Sequence, residues 1–304
     1  MKKEHLVLGG LFTLIIACIL LAAFHASPRN WLGKSDPLTT GSGIAVVYLT
    51  QEISFDEESP LSEGAGAFID RLKELVDDSR VKALVVRVNS PGGTVGASQE
   101  IHSQLKAFKA KTKVPVIVSI GDIGASGAYW VSTAADRIFA NPGSMVGSIG
   151  VILNTYDFTE VQKRYGIGMM TYKSVAHKDL LSSWRKATPE EKGIISAMMG
   201  DIQAQFVETV STGRHLSPEK TAALADGRIF TGRQALEVGL IDQLGSLDDA
   251  IHYAAQKAHI KGEPELIIEE PRTPLQLLRN LLRSSAHGFP QRIQLEFSQG
   301  STLR

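Results

Sequence analysis

Short apolar runs rich in β-branched residues alternate with segments of helical period from Ile44 to Gly213. Ile44 to Leu49, Val81 to Val88 and Val114 to Ile120 read as strands, and VKALVVRV is apolar enough to be buried on both faces. Thr94 to Lys109 places Ile101, Leu105 and Phe108 at helical spacing. Ala128 to Asp136 reads as a short helix, Arg137 to Ala140 as a short strand, and Pro189 to Gly213 as a long helix. Val151 to Leu153 and Met169 to Tyr172 read as two further strands around a helix at Thr159 to Tyr165. Such alternation predicts an α/β fold with a mainly parallel sheet and right-handed crossovers.

The ends of the chain depart from this pattern. Lys2 and Lys3 precede an uncharged run from Leu6 to Phe24. A membrane-spanning helix needs about 20 apolar residues, whereas a cleaved signal peptide has a core of about 7–15. The expectation is an N-terminal membrane anchor over residues 1–26, with residues 6–24 in the bilayer. The lysines stay in the cytoplasm, so the rest of the chain faces the other side. Cys18, the only cysteine, follows Ile15-Ile16-Ala17 in a loose likeness to a lipoprotein cleavage box, and lipidation there is the alternative. Residues 27–42, with Pro, Gly, Ser and Thr and no periodicity, read as a linker. The globular body is expected over 43–262. A C-terminal extension, 263–304, carries a helical patch at Leu275 to Leu282 and a strand-like patch at Ile293 to Phe297.

Composition excludes several chemistries. A formal net charge of +0 gives no basic footprint for nucleic acid. With one cysteine, and that in the apolar segment, the body has no internal disulfide, thiolate nucleophile or Cys-based zinc site. The histidines show no zinc spacing. The expected chemistry uses no metal and no cofactor.

Four constellations carry candidate chemistry. Asn89-Ser90-Pro91-Gly92-Gly93 follows a buried strand and precedes a helix, where α/β sheets place ligands. Its glycines allow unusual backbone angles and bare N–H donors; an ordinary strand-to-helix turn is the plainer reading. In Gly124-Ala125-Ser126-Gly127-Ala128 small residues flank Ser126, which also sits where a helix-capping serine would. Nucleophile and cap are both open from the local sequence, and the spacing is not that of a G-x-S-x-G elbow. Ser148, in Gly147-Ser148-Ile149-Gly150, reads locally as a turn serine. Lys178 stands in Ser174-Val175-Ala176-His177-Lys178-Asp179-Leu180-Leu181. A free lysine titrates near pH 10.4, so a lysine base must be buried. Val175, Ala176, Leu180 and Leu181 are candidates to bury it; a solvated lysine is the plainer reading.

The order of these motifs is more specific than any one of them. N-S-P-G-G, then A-S-G-A-Y-W-V-S-T-A-A-D, G-S-I-G-V-I, A-H-K-D and D-G-R-I-F-T-G-R-Q-A-L-E-V-G-L-I-D-Q-L-G resemble the signal peptide peptidase A family from about Ile44 to Ala258. The resemblance implies a crotonase/Clp-protease-like fold of repeated ββα units. It implies a serine endopeptidase with Ser126 as nucleophile and Lys178 as general base. Ser148 orients the lysine, and the Gly93 and Gly127 N–H groups form the oxyanion hole. It further implies a homo-oligomeric ring at the bacterial cytoplasmic membrane, its catalytic domain extracytoplasmic. The implied substrates are signal peptides left in the membrane, cut in their apolar stretches. The commonest family motif is A-S-G-G, and Ala128 replaces its second glycine here.

Three rival readings remain at this stage. His177 is an alternative base in a Ser-His-Asp arrangement. An acyl-CoA hydratase or isomerase on the same fold would use the same glycine donors. A catalytically inactive membrane scaffold would use none of these groups. Asp226-Gly227-Arg228 reads as structural, with Arg228 paired to Asp226 or to a carboxylate elsewhere.

Overall fold

A computed structural model describes residues 42–55 and 64–268. The anchor, residues 27–41 of the linker, Cys18 and the patches at 275–282 and 293–297 lie outside the described residues. Among the described residues no helix is long and apolar enough to cross a membrane.

One eight-stranded sheet organises the body. Strand β1 (Gly43–Ile53) is followed by α1 (Ala65–Val76), β2 (Val81–Gly93), α2 (Val95–Thr112), β3 (Val116–Ala125) and α3 (Gly127–Ser132). Next come β4 (Arg137–Ala140), β5 (Met145–Gly147), α4 (Thr159–Tyr165), α5 (Pro189–Arg214) and α6 (Pro218–Leu224). The chain continues through β6 (Ile229–Thr231), α7 (Gly232–Val238), β7 (Gln243–Leu244), α8 (Leu247–Lys257) and β8 (Glu265–Ile268). The strand order is β6-β5-β3-β2-β1-β8, with β4 joining β3 to β7. Every pairing is parallel except β5 with β6. The mixed α/β sheet is therefore as the alternation predicts.

Burial on both faces follows from the period-two placement of side chains along a strand. Ala45, Val47, Leu84, Val86, Val118 and Ile120 face one core, which α1, α2 and α3 and the Phe206–Val210 stretch of α5 cover. Ile44, Val46, Ala83, Val85 and Ile117 face the other, covered by Ala250, Ile251, Ala254 and Ala255 of α8. The continuous apolar run of β2 is what a strand between two such layers requires.

Two expectations need correction. Val151 to Leu153 and Met169 to Tyr172 form no strand. β-propensity does not make a strand without an edge to pair with. The edge beside β5 is taken by β6, in the register Met145–Thr231 to Gly147–Ile229. Displaced from the sheet, residues 152–175 expose Ile152 (79%), Met170 (80%) and Tyr172 (89%). The sheet also extends past residue 262: β8 pairs with β1 in the register Gly43–Glu265 to Val46–Ile268.

Candidate active site

Three stretches converge at the carboxyl ends of β2, β3 and β5. The β2 strand runs longer than its apolar part predicts and carries Asn89 to Gly93 within it, Thr50 opposing Asn89 and Ile53 opposing Gly93. Asn89 pins the neighbouring strand: its Oδ1 accepts from the Asp122 N–H at 2.9 Å and the Ile123 N–H at 3.1 Å. These bonds stand where the β2–β3 register shifts, between Val88 and Ser90. They let β3 reach past the irregularity to Ala125 and deliver Ser126 at its tip.

Ser126 has φ 53° and ψ −125°, a backbone conformation that L-residues rarely adopt. Such a residue costs ~1–3 kcal/mol and persists only where its surroundings hold it. Here its N–H donates to the Gly147 carbonyl at 2.8 Å, and its carbonyl accepts from the Trp130 N–H at 3.0 Å. Although Ser126 precedes α3, its side chain makes no capping hydrogen bond. That removes the capping reading left open by the sequence. A half-buried serine, strained and uncapped, remains.

The glycines around it are close-approach glycines. Gly92 has φ 105°, and a Cβ there would lie 2.7 Å from the Gly127 nitrogen and 2.8 Å from Ser126 Cβ. A Cβ on Gly127 would lie 3.3 Å from the Gly93 nitrogen and 2.3 Å from Ser98 Oγ. The Gly93 and Gly127 amides therefore stand side by side next to Ser126. Ser98, fully buried on α2 with its hydroxyl donating to the Thr94 carbonyl at 2.8 Å, is the floor beneath Gly127.

Ser148 follows directly. The β3–β5 register pairs Ala125 with Gly147, so Ser148 is next to the Ser126 turn. It too has positive φ (49°), and its N–H donates to the Arg228 carbonyl at 2.9 Å. Asp226 and Arg228 form an ion pair, with Arg228 Nε donating to Asp226 Oδ1 at 2.8 Å. The D-G-R-I-F-T stretch is thus a structural brace for the serine turn. Neither the Ser126 nor the Ser148 hydroxyl has a hydrogen-bond partner among the described residues.

Lys178 is held differently. It lies in a run of turns, with its N–H bonded to the Val175 carbonyl at 3.4 Å, on the arm that leaves the sheet after β5 and returns at α5. The expected local burial is not met: Lys178 is exposed, Val175 is 63% exposed and Leu181 38%. Small and apolar neighbours in sequence shield a side chain only when tertiary structure folds them over it. The Lys178 ammonium makes no hydrogen bond or ion pair with any described residue. His177 faces Glu190 on the first turn of α5, its Nε2 3.6 Å from Glu190 Oε1.

Around Lys178 the arm is ordered by charge. Asp179 accepts from Lys173 Nζ at 2.7 Å and from Arg185 Nε at 2.8 Å. Arg185 also grips Glu191, at 2.5 and 2.8 Å. Arg185 and the Thr188 backbone N–H hold the Glu191 carboxyl near a pKa of about 2, below the usual carboxylate range. Thr188 and Glu191 close a capping box at the start of α5. The motif T-P-E-E is the sequence signal for this anchor point, whereas the Asp179–Arg185 pairing has no local signature. A cavity of about 260 Å³ opens between Tyr156, Asp157, Leu181, Arg185 and Ile195; Ser126, Ser148 and Lys178 do not line it.

Comparison with known proteins gives the family. Peptidase family S49 matches residues 108–261, just over half of the chain. A Synechocystis protein that carries a protease name is 41% identical over 216 residues, covering 70% of this chain and 76% of its own. Protease 4 of Salmonella typhi is 34% identical over 263 residues, 85% of this chain but 42% of that protein. An Enterococcus faecium protein bearing the name signal peptide peptidase SppA is 37% identical over 184 residues, 60% of this chain and 53% of that one. With a strained serine set beside paired glycine amides, and with relatives of this identity and coverage, the chain belongs to peptidase family S49, as a serine peptidase of the signal peptide peptidase A and protease 4 family.

Proposed function

We propose that this chain is a membrane-anchored serine endopeptidase that degrades signal peptides left in the bilayer, with Ser126 as nucleophile and Lys178 as general base. The observation that carries the reading is the uncapped, positive-φ Ser126 beside the Gly93 and Gly127 amides. In this scheme neutral Lys178 takes the Ser126 hydroxyl proton as Oγ attacks the peptide carbonyl. The Gly93 and Gly127 N–H groups hold the tetrahedral oxyanion, and Lys178 returns the proton to the leaving amine. Water then repeats the cycle on the acyl-enzyme. Ser148, adjacent to the Ser126 turn, orients the lysine.

A lysine base needs a site shielded from water. Exposed apolar side chains crowd the arm that carries Lys178: Tyr156 (77%), Tyr165 (68%), Met169 (58%), Met170 (80%) and Tyr172 (89%). A surface of this kind supports assembly into a homo-oligomeric ring that covers the lysine. The apolar run at residues 6–24 supports anchoring in the cytoplasmic membrane with the body outside the cytoplasm. The run of parallel strands with intervening helices suits a crotonase/Clp-like ancestry, and the chemistry proposed needs no cofactor.

The test is cleavage of an internally quenched apolar peptide by the full chain. Ser126→Ala and Lys178→Ala each abolish turnover, and His177→Ala retains most of it. Full activity in Lys178→Ala sinks the dyad. Binding of acyl-CoA without peptide cleavage moves the chain to the thioester class.

A further inference from the structure

Asp179, the residue after Lys178, is the carboxylate best placed by sequence to pair with it. It does not. Both of its oxygens are taken, Oδ1 by Lys173 Nζ at 2.7 Å and Oδ2 by Arg185 Nε at 2.8 Å. The Asp179 side chain is only 12% exposed, so these two cations fill its reach. Arg185 first and Lys173 second hold the carboxyl far below the ordinary aspartate range, so it is a full anion at any pH at which a peptidase works. Lys173 also donates to the Ala176 carbonyl at 2.7 Å, and Arg185 to the Asp179 carbonyl at 3.3 Å. The same two cations therefore tie down the backbone on both sides of Lys178.

We propose that Lys173 and Arg185 are positioning residues that sequester the Asp179 carboxylate and fix the 176–179 turn, leaving Lys178 without an ion-pair partner and aimed as the catalytic base. The inference rests on Lys178 being that base. The charges close within the arm: Lys173 and Arg185 balance Asp179 and the 5%-exposed Glu191. The other acidic side chains of the arm and of the first turn of α5 have partners of their own. Glu190 on α5 faces His177. Asp157 accepts from the Thr159 N–H and hydroxyl, and the charges of Lys186 and Lys163 further favour its ionised form. Glu160 pairs with Lys163 at 2.8 Å.

An unpaired carboxylate beside an ammonium stabilises the protonated form, and a lysine must lose that proton to serve as a base. The signs are therefore opposite for the two partners. Lys173→Gln frees one oxygen of Asp179, and the rise of kcat/KM with pH moves to higher pH, by roughly half a unit or more. Asp179→Asn leaves Lys173 and Arg185 uncompensated, and the same rise moves to lower pH by a similar amount. The double variant lies near the parent profile, and Lys173→Arg keeps it. The experiment measures these profiles for the full chain on the quenched apolar peptide, with thermal melts to show that each variant is folded. Opposite displacements of the two single variants support the proposal. Equal displacements, or lowered rates with an unmoved profile, mean that the cluster is structural only and overturn it. Because Lys173, among the described residues, hydrogen-bonds only to Asp179 and one backbone carbonyl, the Lys173 pair of variants tests the idea even where Asp179→Asn does not fold. Retained activity in Lys178→Ala is a separate outcome that overturns the base assignment itself.

Discussion

At the residue scale, the candidate site depends on atoms that are missing as much as on atoms that are present. Gly127 is pressed against Ser98 on one side and the Gly93 amide on the other. Gly127→Ala puts a methyl 2.3 Å from Ser98 Oγ, and the serine turn has to shift. We expect a loss of peptide turnover of at least ~100-fold, the order that follows from displacing one oxyanion donor, the role proposed for the Gly127 amide. Ser98→Ala alone removes a buried hydrogen bond to the Thr94 carbonyl and costs about 1 kcal/mol. Combining the two relieves the worse of the clashes, and turnover recovers part of the way, as steady-state assays of the three variants will show. No recovery means that the remaining close contacts, Ser98 Cβ at 3.2 Å and the Gly93 nitrogen at 3.3 Å, exclude the methyl group by themselves.

At the scale of elements, α5 joins the exposed arm to the core. Its first turn is held by the Thr188–Glu191 capping box and by Arg185. Its second half is held by Phe206, 2% exposed, which stacks on Trp130 of α3 with ring centroids 4.6 Å apart. Trp130 also donates its backbone N–H to Ser126. The helix thus braces the short element that follows Ser126, the proposed nucleophile. Phe206→Ala should destabilise the fold by about 3–5 kcal/mol in denaturant titration, the range for emptying a buried aromatic site. It should also lower kcat by loosening α3 under Ser126. A destabilisation under ~1 kcal/mol would show that the arm side of α5 bears the load.

At the scale of the whole molecule, the apolar surface is concentrated on one arm. Residues 152–198 hold most of the large exposed hydrophobic side chains among the described residues, from Ile152 to Met198. Monomers rarely leave such a surface open to water. We expect sedimentation analysis of the purified chain to show an oligomer. Met170→Glu combined with Tyr172→Glu should dissociate it and cut peptide turnover with it. A monomeric parent with full activity would refute the link between assembly and catalysis.

Much of this was legible in the chain alone. Parallel strands with helical crossovers follow from alternating periodicity, because period two and period 3.6 are local properties. The order of the motifs pointed to the peptidase family. Other features were decided in three dimensions. Ser126 is an N-cap by position, and only its φ of 53° and its uncapped hydroxyl remove that reading. Val151 to Leu153 and Met169 to Tyr172 carry strand composition, yet the edge they would need belongs to β6, from a segment about 60 residues or more further on. Lys178 has apolar neighbours in sequence and none that cover it, since burial is a property of packing and not of adjacency. Asp179 stands next to Lys178 in the chain but pairs with Lys173 and Arg185, each six residues away, because hydrogen-bond geometry selects partners through space.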